Sequence, residues 1–106
     1  MTDHEKKVTE RIKAKIMEKD PTAIVILYGS HARGDANKDS DWDILILVDK
    51  KNFDRTMERG YRDSLFDIVL DIEEPISAFI RTKDAWENIH AGGPFYENVT
   101  KEGIRL

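Results

Sequence analysis

Gly29-Ser30-His31-Ala32-Arg33-Gly34, followed after a polar stretch by Ser40-Asp41-Trp42-Asp43, is the segment of this chain whose reading decides the fold. An apolar run leads into it, Ala23 to Tyr28, and a second leaves it, Asp43 to Asp49. Both are rich in Ile, Leu and Val and lack polar alternation, so they predict strands buried on both faces. Gly29 to Ser40 is then the turn region between two strands, held at each end by a rigid sheet.

Outward from this segment the period changes. Val8, Ile12 and Ile16 recur every four residues among Lys, Arg and Glu. That spacing predicts an amphipathic helix over about Asp3 to Lys19, ended by Asp20-Pro21. Phe53, Met57, Tyr61, Leu65, Ile68 and Ile72 follow the second strand at helical spacing. They predict one helix from roughly Asn52 to Leu70 with its stripe in the core. Pro75 interrupts, and Ile76 to Thr82 alternates as a third strand. Asp84 to His90 reads as a short helix, broken by Gly92-Gly93-Pro94, and Phe95 to Glu102 as a last one. The order α-β-β-α-β-α-α is an α/β arrangement, a sheet layered with helices. No repeat, low-complexity tract or linker interrupts the 106 residues, so 1–106 reads as one domain.

The formal net charge of −4 argues against an extended nucleic-acid surface, which depends on Lys and Arg neutralising phosphates. A small, local phosphate site remains compatible with it. The chain has no cysteine, which excludes disulfides and thiolate zinc sites. Met1 to Lys15 is charged and lacks the apolar core of a secretory signal. No apolar run approaches the roughly 20 residues that span a bilayer. A cytoplasmic protein with no membrane partner is expected.

Residues i and i+2 of a strand point to one face. Asp41 and Asp43 therefore project together, about 7 Å apart at their Cα atoms. Their oxygens can converge on Mg²⁺, which takes one or two carboxylates and completes its shell with phosphate oxygens. Trp42 must point to the opposite layer. Gly29 lets the chain leave the strand in a conformation closed to other residues and lets a phosphate approach closely. Ser30 offers a hydroxyl and an N–H, and a short helix beginning near Ser30 to Ala32 would aim N–H groups at an anion. Arg33 is placed to bond a phosphate or to pair with Asp35 or Asp43. His31 reads as a turn residue at the pocket edge, Lys38 and Asp39 as solvated loop, and Phe79 and Trp86 as core. His4 and His90 read as isolated surface residues. The arrangement suits in-line attack on an α-phosphate, driven by positioning and charge stabilisation.

Gly29-Ser30, ten residues, then Asp41-x-Asp43, with Ala32-Arg33-Gly34 inside, resembles the nucleotidyltransferase signature of the polymerase-β superfamily. Length and element order are similar to its minimal members, the MNT domains, and the likeness extends to the tail from Pro94-Phe95-Tyr96 to Gly103. The resemblance implies a nucleotidyltransferase-like fold, a small mixed sheet of three or more strands packed with helices. It implies that Gly29 and Ser30 hold the triphosphate, that Asp41 and Asp43 bind one or two Mg²⁺ ions, and that Arg33 is a structural or phosphate-contacting residue.

The superfamily usually places a third acid on the next core strand. Here that strand reads Pro75-Ile76-Ser77-Ala78-Phe79-Ile80, with Ser77 where the acid is expected. Asp71, Glu73 and Glu74 lie just upstream, and Asp71 is the candidate third catalytic carboxylate. Without one, nucleotide would bind while transfer is slow or absent.

The resemblance implies Mg²⁺-dependent transfer of a nucleoside monophosphate, AMP being expected, from an NTP such as ATP to a hydroxyl. The acceptor site is expected between this chain and another. In similar small proteins the partner is a helical HEPN-domain protein, the pair forms a toxin–antitoxin module, and the MNT member adenylylates its partner on a tyrosine. A HEPN-type partner or a homo-oligomer is therefore expected. The alternative is a catalytically degenerate nucleotide-binding or docking module. For it, the tail apolars Phe95, Tyr96, Val99, Ile104 and Leu106 would face another chain.

Overall fold

The first helix, α1 (Asp3–Lys19), begins at a capping box. Thr2 Oγ1 accepts from the Glu5 amide at 3.1 Å, and Glu5 Oε1 accepts from the Thr2 amide at 2.9 Å. Asp3 and Glu5 in the first turn and Lys19 in the last match the helix dipole. Val8, Ile12 and Ile16 are buried, as their spacing predicts. The computed structural model describes residues 1–88 and 91–106. The later elements are β1 (Ile24–Tyr28), α2 (Ser30–Arg33), β2 (Trp42–Val48), α3 (Arg55–Asp63), α4 (Phe66–Ile72), β3 (Ile76–Thr82), α5 (Lys83–Asn88), α6 (Pro94–Glu102) and β4 (Ile104–Arg105).

The described residues form a mixed sheet of order β3-β2-β1-β4. β1 runs antiparallel to β2 and β4, and β2 runs parallel to β3. A parallel pair needs a crossover, which α3 and α4 supply. On one face Trp42, Ile44, Ile46 and Val48 pack with Val8, Ile12, Ile16, Tyr61 and Ile68. On the other, Tyr28, Leu45 and Leu47 pack with Trp86 and Val99. Helices on both faces explain the unbroken apolar character of β1 and β2. The expected mixed sheet packed with helices is thus present.

The helix expected from Asn52 to Leu70 is two helices. Asp54 Oδ1 caps α3 by accepting from the Met57 amide at 2.8 Å. Ser64 Oγ donates back to the Tyr61 carbonyl at 2.6 Å, and the Leu65 amide bonds the Arg62 carbonyl at 3.2 Å. That local hydroxyl bond and tightened i−3 turn interrupt the α-helical ladder. Tyr61, Leu65 and Ile68 are still buried, as the stripe predicts.

Phe79, expected in the core, is 41% exposed because β3 is the sheet edge. The tail apolars also differ from expectation. Val99 is buried, Phe95 and Tyr96 pack beside Trp86, and Leu106 packs against the α1-side core. The two-residue β4 ties this tail to β1, too short a strand to leave a sequence pattern. His4 is exposed but not isolated, since its Nε2 lies 2.8 Å from Glu74 Oε2. The reading of His90 falls outside the described residues.

Asp20 is 4% exposed. Its Oδ2 accepts from the Tyr61 hydroxyl at 2.6 Å, and its Oδ1 from the Thr22 amide and hydroxyl at 3.0 and 2.7 Å. Burial alone pushes the carboxyl up, but the Tyr61 and Thr22 bonds outweigh it and hold it below its usual range. A depressed folded-state value stabilises the protein above the unfolded carboxylate range. That contribution is lost as pH falls through the folded value. Tyr61→Phe is expected to cost about 1.5–2 kcal/mol at neutral pH in urea denaturation. The deficit should shrink once Asp20 is protonated; a deficit independent of pH down to strong acid would count against this assignment.

Candidate functional site

β1 delivers Tyr28 directly opposite Asp43 of β2. The next residue, Gly29, has φ +76° and ψ −157°, a region essentially reserved for glycine. A β-carbon on Gly29 would collide with the Asp43 carboxylate. The turn and the acid are therefore in intimate contact. The Gly29 carbonyl accepts from the Ala32 and Arg33 amides at 3.1 and 3.0 Å, closing α2, and Gly34 ends it at φ +84°. The short helix expected after Ser30 is this one turn.

Asp41 stands just before β2 and Asp43 is its second residue, while Trp42 is fully buried on the opposite face. β3 places Ser77 directly beside Asp43, and the Ser77 hydroxyl donates to Asp41 Oδ2 at 3.3 Å. The two aspartates thus share one face and one corner of the sheet. Burial pushes the Asp43 carboxyl above its usual range, and the charge of Asp41 pushes it further; His31 and Arg33 offset part of this. A half-buried carboxylate, Asp43, whose charge is disfavoured by burial and by a second carboxylate beside it matches a divalent cation. Among the described residues no group of three His, Cys, Asp or Glu is placed to share one ion. The donor set fits a cation that keeps several positions for phosphate oxygens or water.

Asp71 is not brought to this corner. It lies on α4, exposed, with its Oδ2 2.9 Å from an Arg11 guanidinium nitrogen of α1. Its neighbours Ile68 and Ile72 pack with Trp42 and Ile44, on the face opposite to Asp43. Glu74 is also on Trp42's side, where its Oε1 accepts from the indole Nε1 at 3.3 Å. The residue beside Asp43 on β3 is Ser77, as the strand alignment of the sequence suggested.

Arg33 is exposed and bonds two carboxylates, Asp35 at 3.2 Å and Glu102 of α6 at 2.9 Å. The Asp35 pairing agrees with one of its expected roles, and Glu102 adds a brace that no local pattern signals. His31 departs from expectation. It is 5% exposed, with its ring stacked on Trp42 and Nδ1 2.7 Å from Glu5 Oε2. Tyr28 was also not singled out in the sequence. Its phenol is pushed up to about 12 by burial and by Asp43, so it stays protonated as a wall of the corner.

The model of the polymerase beta nucleotidyltransferase family matches residues 10–106. The chain belongs to that family. Among solved structures it is similar to a chain from a crystal structure of a toxin–antitoxin with AMP-PNP, at 16% identity and a TM-score of 0.61. That likeness covers 91% of this chain and 70% of the other. No curated protein gave a significant match. The fold and family expected from the Gly29-Ser30 and Asp41-x-Asp43 pattern are both borne out.

Proposed function

We propose that the protein is a Mg²⁺-dependent nucleotidyltransferase that moves AMP from ATP to a hydroxyl of a protein partner. In that transfer the acceptor hydroxyl's oxygen bonds to the α-phosphorus, its proton leaves to water, and the bond to pyrophosphate breaks. The observation that carries the proposal is the closure of the Gly29 turn onto Asp43, which sets a glycine turn against a carboxylate pair. Gly29 and Ser30 with the start of α2 would receive the triphosphate, and Asp41 and Asp43 would hold Mg²⁺. When bound, that ion supplies charge neutralisation at the phosphates. Arg33, braced by Asp35 and Glu102, would keep α2 in place and add positive charge to the corner.

The nucleotide in the similar toxin–antitoxin structure supports an adenine nucleotide, and its assembly supports a protein partner. A HEPN-type toxin, with this chain as its MNT antitoxin, is the partner that the sequence resemblance favours. A second reading is a nucleotide-binding docking module without transfer. It draws on Ser77 standing beside Asp43 and on Asp71 lying across the sheet.

Incubation with Mg²⁺ and ATP labelled at its α-phosphate, with and without a HEPN-type partner protein, separates them. Transfer predicts label on the partner, lost in Asp41→Ala and kept within about two-fold in Asp71→Ala. A stoichiometric complex that never takes label, whichever aspartate is present, would leave only the docking reading.

A further inference from the structure

We propose that His31 is a positioning residue that sets the spacing between the phosphate turn and the aspartate strand, acting through Glu5 and Trp42. This rests on the site reading above. His31 directly follows Ser30, and Trp42 lies between Asp41 and Asp43. The two rings lie 5° from parallel with centroids 3.6 Å apart. One aromatic contact therefore joins α2 to the start of β2. Sliding either element moves Ser30 relative to Asp43.

Stacking alone leaves the imidazole free to turn in its plane. The bond from Nδ1 to Glu5 Oε2 at 2.7 Å removes that freedom. Glu5 is in turn held by the Thr2 amide on its other oxygen at 2.9 Å. The N-terminal turn of α1 is thus the anchor of a relay that runs from Glu5 through His31 to Trp42. Trp42 is held at its far edge by Glu74 at 3.3 Å.

Plain packing would be served better by an apolar ring. His31 Nε2 is buried with no hydrogen-bond partner, which costs stability. A phenylalanine would fill the same space without that cost but would lose the Glu5 bond. The directional bond is what histidine adds at this position.

The test uses hydrogen exchange and calorimetry on the full chain. Glu5→Ala should speed amide exchange in residues 29–34 and 41–43 by about ten-fold and weaken Mg²⁺–ATP binding by about ten-fold. Glu5→Gln, which keeps an acceptor for Nδ1–H, should recover most of both. Thr2→Ala breaks the capping hydroxyl bond but leaves Glu5 on His31, and should do neither. If Thr2→Ala reproduces Glu5→Ala, helix fraying is the cause and the relay is overturned. The same follows if Gln recovers no more than Ala, or if Glu5→Ala changes neither exchange nor affinity. His31→Phe carries the same expectation should Glu5→Ala not fold. A wild-type protein that fails to bind Mg²⁺–ATP refutes the site reading, and the exchange measurements then decide the relay independently.

Discussion

Asp43→Asn is expected to weaken Mg²⁺–ATP binding by about 100-fold or more and, in the same molecule, to stabilise the nucleotide-free protein. Both effects have one origin. The Asp43 carboxyl is pushed above its usual range by burial and by the charge of Asp41. An acid whose folded-state value is raised loses stability as pH climbs through the unfolded and then the folded value, and carries the full penalty above. Asn keeps the shape and removes the charge. Because the group is only half-buried, solvent screening limits the gain to about 0.5 kcal/mol, or about 2–4 °C in Tm. The gain should be present at pH 7 and fade below the usual carboxylate range. Adding Mg²⁺ and ATP should raise the wild-type Tm and leave that of Asp43→Asn unchanged. Scanning calorimetry at the two pH values, with titration calorimetry for affinity, checks this. A variant less stable than wild type at pH 7, or one that binds as tightly, would refute the assignment of Asp43 as a cation ligand.

Gly29→Ala should cost about 2–4 kcal/mol of stability and abolish nucleotide binding. Two penalties add. The backbone conformation at φ +76° and ψ −157° excludes side chains, and the new methyl would strike the Asp43 carboxylate. Gly34 supplies the control. Its φ is +84°, but a β-carbon there meets nothing within 4 Å. Gly34→Ala should therefore cost only the left-handed strain of about 1–2 kcal/mol. The contact half of the Gly29 penalty is also separable. Gly29→Ala combined with Asp43→Ala should be less damaging than the sum of the two, since the second change removes the struck atoms. Urea denaturation of the four proteins measures this coupling. Strict additivity would mean that the turn and the acid are not in contact.

Much of the framework was legible because it is written in local periods. The fourfold spacing of Val8, Ile12 and Ile16 placed α1, and the unbroken apolar runs placed β1 and β2. The interruption at Ser64 was hidden because a hydroxyl bonding back to the Tyr61 carbonyl leaves the apolar stripe intact. Phe79 looked like core because its strand alternates correctly, yet the sheet ends at that strand. The tail looked exposed because its cover is β1, far away in the chain, and Trp86, which sits on a separate helix.

At the site the division is sharper. The sequence by itself determined that Asp41 and Asp43 share a face, since strand side chains alternate with period two. It also placed a glycine turn at the strand end beside them. Only the tertiary structure decided which residues complete the corner. Ser77 reaches Asp41 across 36 residues and Arg33 is held by Glu102 across 69, while on the opposite face Glu5 bonds His31 across 26. The same packing draws Asp71 to Arg11, 60 residues away, on the opposite side of the sheet from Asp43. A backbone's local period fixes the face a residue takes, but its neighbours on that face depend on how the crossover helices and the tail fold over the sheet.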